Sequence, residues 1–322
     1  MSQSNAVQTA LLLLGQKTQL QVQQLRKTKQ VLILQEELNT LKEKARKAAK
    51  LLAHAANTLH LLDPHSQTKQ IAMPAIADLE NATNLYEAHA TAFLAALGST
   101  AKKVALPPTA AVLDMAAQML VKMSTNQVQA AHVGKIDIAA DKLSELPIST
   151  SGAACQLLTA SSKLLRDALR EFDQAVEDAK SGGGYEFLSE TYVGEEDDVD
   201  DEQGDDEELF GQNAVVVPTR QLIEAAVDLV DRAIASSAEV GFDEETAELL
   251  VTYSEGASAQ VDSLVCSLHE EDEAGASRFV SSLFVSVRNL CEVVGGDVRL
   301  WESVVRAACG ALDPTGLESL HL

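Results

Sequence analysis

Aromatic side chains make up only 4% of these 322 residues, with a single Trp, and the apolar 46% is carried mostly by Ala and Leu. Sheets draw on aromatic and β-branched side chains, so this balance predicts helices. No stretch approaches the roughly 20 unbroken apolar residues of a membrane span. The longest candidate, Ala10 to Leu14, stops at Gly15 and Gln16, so a soluble chain with no membrane contact is expected. The first positive charge, Lys17, follows that run instead of preceding it, which is not the order of a secretory leader. Cysteines are few and scattered: Cys155, Cys266, Cys291 and Cys309 show no metal or redox spacing. They read as small apolar core residues in a reducing compartment. Lysine is missing altogether after Lys180.

The net charge of −23 is unevenly spread. Residues 1–62 hold nine Lys or Arg against three acids, about +6, which leaves about −29 for the remainder. So negative a surface repels nucleic acid phosphate and anionic lipid. Direct nucleic acid binding is therefore not expected, and basic protein surfaces are the better partners. The length itself suggests two domains.

Apolar residues at alternating steps of three and four run through Val31, Leu34, Leu38, Leu41, Ala45, Ala48, Leu52, Ala55, Leu59 and Leu62. With no Gly or Pro from Gln16 to Asp63, this register specifies a long helix with one packing seam, stopped by Asp63 and Pro64. Ser66 can cap a second helix whose seam is Ala72, Ile76, Leu79, Thr83, Tyr86, Ala90, Phe93 and Leu97. The short connection predicts an antiparallel hairpin, with a kink at Pro74 and an end at Gly98. Pro107 and Pro108 are placed to start a third helix with Val112, Met115, Met119 and Met123 inside. Methionines at that spacing are core filler before they are a Met-rich groove. A short helix with Ile136, Ala140 and Leu143 ends before Pro147. A fifth, capped by Ser149 to Ser151, turns Leu158, Ser161, Leu165, Ala168, Phe172, Ala175 and Ala179 inward.

Gly182 to Gly184 break that helix, and eleven of the fourteen residues from Glu195 to Glu208 are acidic. Like charges at this density do not pack, so residues 181–212 are expected as a disordered linker. Val215 to Val217 and Pro218 then lead into a helix bearing Leu222, Ile223, Ala226, Leu229, Val230, Ala233 and Ile234. Further helices are expected over Glu244–Glu255, Ala257–His269, Gly275–Val294 and Asp297–Leu312. The fold class predicted is all-α: a five-helix bundle over 1–180, the acidic linker over 181–212, and a four- or five-helix bundle over 213–322.

Groupings that carry enzyme chemistry are not found in the sequence, and no cofactor or metal is implied. His54, His60, His65, His89, His132, His269 and His321 include no zinc-hydrolase pair. The three glycines lack the Lys-Ser or Lys-Thr of a phosphate loop, and the acidic run lacks the glycine and spacing of a calcium loop. Lys42, Lys44, Arg46, Lys47 and Lys50 form the densest basic cluster, but they share the helix with its seam, whereas a DNA-binding zipper places its basic region before the heptads. A solvated outer face is the simplest reading, and attraction toward the acidic linker the sharper one.

Four segments carry a family resemblance: "LLDPHSQTKQIAMPAIADLENATNLYEAHATAFLAAL"; "PPTAAVLDMAAQML" with Asp114, Gln118 and Met119; "LPISTSGAACQLLTASSKLLRDALREFDQAVEDA" with Arg166, Asp167, Ala168, Gln174, Ala175 and Val176; and "SEGASAQVDSLVCSL" with Val261, Asp262, Ser263 and Leu264. In this order, along nearly the whole length, the chain resembles the cyclin-D-binding protein family. The resemblance implies a helical, two-part, non-enzymatic protein of cytoplasm and nucleus that binds cyclin D or a similar regulator and restrains cell-cycle progression or transcription. Its amino-terminal helix is richer in Gln and Lys than the family pattern, and the part that follows Lys180 has no lysine. Helix-in-groove contacts are the expected mode, with the open strips expected on the flanks of the first hairpin. The candidate partner-binding residues are the acids of the linker: Glu195, Glu196, Asp197, Asp198, Asp200, Asp201, Glu202, Asp205, Asp206, Glu207 and Glu208. The alternatives are a cytoskeletal adaptor resembling vinculin or α-catenin and a chaperone for basic proteins working through those acids.

Overall fold

The computed structural model describes residues 3–28, 35–62, 69–180, 208–269 and 273–295. These residues form nine α-helices and no strand, in agreement with the all-α expectation. They are α1 (Gln3–Arg26), α2 (Gln35–Leu61), α3 (Lys69–Ala95), α4 (Ser99–Ser124), α5 (Ala130–Lys142) with a 3₁₀ turn at Leu143–Glu145, α6 (Thr150–Lys180), α7 (Glu208–Glu239), α8 (Glu244–His269) and α9 (Glu273–Val294). The chain divides into two units, Met1–Ala153 and Ala154–Leu322.

In the first unit the main contacts run in a ring, α1, α4, α5, α2, α3 and back to α1, with α4 also touching α3 and α2. The heptad seams predict its interior well. Along the α2 seam, Leu38, Ala45, Ala48, Leu52 and Leu59 are buried, Leu41, Ala55 and Leu62 are half-buried, and Val31 and Leu34 lie outside the described residues. All eight residues of the second seam are buried, seven of them on α3 and Leu97 just beyond its end. Burying Ala49, Ala53 and Ala56 as well widens the stripe on α2, which lets it face both α3 and α5. The Tyr86 hydroxyl, wholly buried, donates to the Thr109 carbonyl at 2.7 Å and ties α3 to α4.

Three expectations for this unit need correction. First, the helix read backward to Gln16 is interrupted: Lys27 and Thr28 donate to Gln24 and Leu25, closing a last 3₁₀ turn, and Lys102 binds the Thr28 carbonyl. The residues before the break form a separate helix, α1, which runs straight through Gly15. A Cβ at Gly15 would meet Leu120 Cβ and Val121 Cγ2 at 3.4 Å, so glycine permits the close approach to α4. The buried stripe of α1 keeps the three-four step at Val7, Leu11, Leu14, Thr18, Gln21 and Leu25, but two polar residues in it hide the pattern. Second, Gly98 ends no turn of α3; it stands as N-cap of α4 in extended conformation, φ −63° and ψ 168°. Third, Pro107 and Pro108 start nothing, because α4 begins at Ser99 and carries both inside. A proline inside a helix costs about 3 kcal/mol or more. Burial of Ala101, Val104 and Ala105 before the pair and Thr109, Ala110, Val112 and Leu113 after it offsets that cost. By length and composition α4 alone among the described helices suffices to cross a membrane, yet more than half of the relevant window is buried inside the unit. Methionines 119 and 123 are core filler here, and Met115 is half-buried.

The second unit takes its first helix from the span expected to close the first bundle. Leu158, Leu165, Ala168, Phe172 and Val176 of α6 share one core with Leu222, Ile223 and Leu229 of α7, Leu250 and Val261 of α8, and Phe284 and Leu290 of α9. The domain boundary thus falls near Ala153, not at 180. The reason is visible in two clamps: Arg220 of α7 holds Asp173 at 2.8 Å, and Asp231 of α7 accepts from Ser162 at 2.7 Å and from Arg166. Helix α7 begins at Glu208, so the end of the expected linker and the lead-in from Val215 to Pro218 are helical; residues 181–207 lie outside the described residues. The two helices expected over 244–269 are one. Gly256, read as a break, sits within α8 where a Cβ would come 3.2 Å from Ser286 Oγ of α9. Asp243 caps α8 by accepting from the Thr246 amide at 2.7 Å, which holds its carboxyl below the ordinary range. The helix expected over 297–312 lies outside the described residues.

Candidate partner-docking grooves

The sequence-predicted site, Glu195 to Glu207, lies outside the described residues; of it only Glu208 is placed, as the first residue of α7. The basic cluster of α2 is described, and its outcome is mixed. Lys44 and Lys47 are exposed, as a solvated face requires. Lys42 and Lys50 instead clip α5 and its 3₁₀ turn to α2. The Lys42 ammonium donates to the carbonyls of Ser144 (2.8 Å) and Leu146 (2.6 Å), and burial lowers its pKa. Lys50 reaches Asp137 and Asp141, each at 2.7 Å, and those hydrogen bonds raise its pKa above the usual lysine value. Arg46 binds Glu43 one turn earlier on the same helix.

Among the described residues no group of three or more His, Cys, Asp or Glu is placed to hold a metal ion. The cysteine expectation holds only for Cys291, since Cys155 is half-buried and Cys266 exposed; Cys309 lies outside the described residues. Of the histidines, His54 is exposed, and His132 serves structure: its Nδ1 accepts from the Gln129 amide at 3.0 Å in a capping box that starts α5.

What the fold does offer are grooves, each where two helices touch along a narrow seam. Between the parallel helices α1 and α3 a cleft of about 270 Å³ is lined by Ala10, Leu13, Leu14, Met73, Ile76 and Ala77. It is closed at one end by the Lys17–Glu80 ion pair of 2.7 Å. Beyond that pair, Gln21 donates to Asn84 (3.1 Å) and Glu87 (2.6 Å), so the seam is apolar at one end and polar at the other. Leu13 stands 60% exposed at the lip and Leu20, two turns on, 58%. The run Ala10 to Leu14 contained the signal: Leu11 and Leu14 face the core, which forces Leu12 and Leu13 outward. A second cleft, about 410 Å³ between α2 and α5, is lined by Lys50, His54, Asn57 and Asp137 and is more polar. In the second unit a groove of about 500 Å³ runs between α6 and α8, with Leu164 59% exposed at its edge. Two of the three lie on the flanks of the α2–α3 hairpin, where open strips were expected, but the sequence named none of the lining residues, because an open seam depends on which helices become neighbours.

No protein-family model matches the chain, and no curated protein is significantly similar to it.

Proposed function

We propose that this chain is a non-enzymatic, protein-binding regulator of the kind it resembles, the cyclin-D-binding proteins, and that it restrains cell-cycle progression or transcription in the cytoplasm and nucleus. It docks an amphipathic partner helix in the α1–α3 groove, while the acidic run around Glu195 to Glu208 attracts basic surfaces. The supporting observation is the exposed Leu13 beside Met73 and Ile76: an apolar lip on a packed, rigid frame is what helix-in-groove recognition uses. The four family-like segments supply the choice of partner.

The test is binding of purified D-type cyclin to the full chain at native salt. The expected result is a measurable affinity that Leu13→Asp weakens about tenfold or more, with the melting curve unchanged because Leu13 is mostly exposed. Failure to capture a cyclin or transcription regulator, or equal binding by the variant, overturns the proposal. The density of acids between Glu195 and Glu208 favours one further reading, a chaperone for basic proteins. Deleting 195–207 then abolishes histone binding and leaves the helices folded. A vinculin- or α-catenin-like adaptor is distinguished by co-sedimentation with filaments.

A further inference from the structure

We propose that the groove between α6 and α8 is a second docking site, and that its occupant is a short basic amphipathic helix of another protein. The site lies in the other unit from the α1–α3 groove and selects a different chemistry.

The two helices run parallel. Ala154 packs with Ala247 and Val251, and two turns further Ser161 meets Ser254 and Ser258. Small side chains at this contact, Ser161, Ala168, Ser258 and Ala259, keep the floor of the groove low. Its polar groups are already engaged. The Ser258 hydroxyl lies 2.9 Å from the Ser254 carbonyl and 3.3 Å from the Ser161 carbonyl, and the Ser161 hydroxyl accepts from Ser254 at 3.4 Å. A small polar ligand therefore gains little from the floor, whereas an apolar side chain can lie on it beside Leu164 without leaving a buried polar group unpaired.

The banks supply the charge. Asp167 and Glu171 stand one turn apart on α6, and Glu255 and Asp262 stand two turns apart on α8, so carboxylates flank the apolar floor on both sides. Arg170 pairs with Asp167, and Glu171 and Asp262 stand exposed on opposite banks. The basic helices of the chain itself are committed elsewhere: Lys17, Lys42, Arg46 and Lys50 all hold partners inside the first unit. A ridge of Leu, Ile or Met at helical spacing, flanked by Lys or Arg, complements this groove in shape and sign. Positions 161–171 on α6 span on the order of 15 Å, about three turns of a partner helix.

The probe is a 14-residue peptide with Leu at i, i+3, i+4 and i+7 and Lys elsewhere, titrated by fluorescence anisotropy into the full chain with the acids of 195–207 changed to Asn and Gln. That background prevents the acidic run from capturing the peptide. Binding is expected to persist there and to weaken about tenfold or more in Glu171→Lys/Asp262→Lys, whose side chains are both exposed. A scrambled peptide should bind much more weakly. Leu13→Asp should bind as the parent does, which separates this site from the α1–α3 groove. Equal binding of the scrambled peptide, no loss in the double charge reversal, or a dimer of this chain found to cover α6 and α8 overturns the proposal.

Discussion

The two units pack the same kind of alanine- and leucine-rich rod but fasten the rods with different cations. In the first, the ion pairs between helices run through lysine: Lys17 to Glu80, and Lys50 to Asp137 and Asp141. In the second they run through arginine: Arg166 to Asp231 and Arg220 to Asp173. An ammonium is a compact point charge that titrates within reach of experiment, whereas a guanidinium keeps its charge and presents a planar fork. Arg220 uses that fork, meeting both carboxylate oxygens of Asp173, which raises its pKa further. The absence of lysine beyond position 180 is thus also a difference in how the two halves respond to alkali.

The largest test of the division into units is Phe172→Ala. This side chain on α6 is fully buried in the core shared with α7, α8 and α9, so its removal should destabilise the second unit by about 3–5 kcal/mol. Hydrogen exchange resolved by residue should then show faster opening in α7 and α8 and unchanged protection in α2 and α3. Loss of protection in α2 and α3 instead returns α6 to the first bundle, where the sequence pattern alone had placed it.

Next in size is the response to alkali. Burial pushes the Tyr86 hydroxyl far above its ordinary value of 10.0, and the hydrogen bonds that Lys50 donates to Asp137 and Asp141 raise it above 10.5. Both folded values are raised, so both contributions are complete below the unfolded values and are lost as pH climbs past them. For Tyr86 the unfolded chain releases its proton above pH about 10 while the folded chain keeps it. The first unit should therefore lose up to about 1.4 kcal/mol per pH unit in that range. Lys42, lowered by burial, has the opposite sign and offsets a little of the loss. Lys50 adds less than about 1 kcal/mol, since its pairs are exposed to solvent. Urea melts between pH 9 and 11.5 should show Tyr86→Phe somewhat less stable at neutrality, by the bond to Thr109, yet flatter with pH. Equal alkaline slopes in variant and parent refute the account.

Periodicity made α2 and α3 legible almost residue by residue, because a buried stripe leaves the same three-four trace whichever neighbour covers it. The count of five helices in the first bundle was also legible, but its membership was not. Helix α1 hid behind Thr18 and Gln21 in its buried stripe and behind Gly15, while α6, whose stripe is clear, belongs with the other unit. An amphipathic pattern says that a face is covered and is silent on what covers it. Proline and glycine misled for a related reason: at Pro107, Pro108 and Gly256 tertiary burial outweighs the local preference. The grooves depend on that same pairing of helices, so the residues that line them could be read as helical without being read as a site.

The smallest effect sets two glycines against each other. Gly134 lies on the exposed side of α5, the shortest helix of the ring, and a Cβ there meets no atom within 4 Å. Gly134→Ala replaces a poor helix former by a good one and should stabilise the first unit by about 0.5–1 kcal/mol. At Gly256, the same change gains the same propensity but sets a methyl group 3.2 Å from Ser286 Oγ, where α8 lies against α9. Ser286 must turn or the helices must part by a few tenths of an ångström, so Gly256→Ala should gain clearly less than Gly134→Ala or lose stability. Adding Ser286→Ala removes the obstructing oxygen and should restore most of the gain. If Gly256→Ala alone stabilises as much as Gly134→Ala, α8 and α9 lie farther apart than these distances require, and the tight seam assigned to the second unit is wrong.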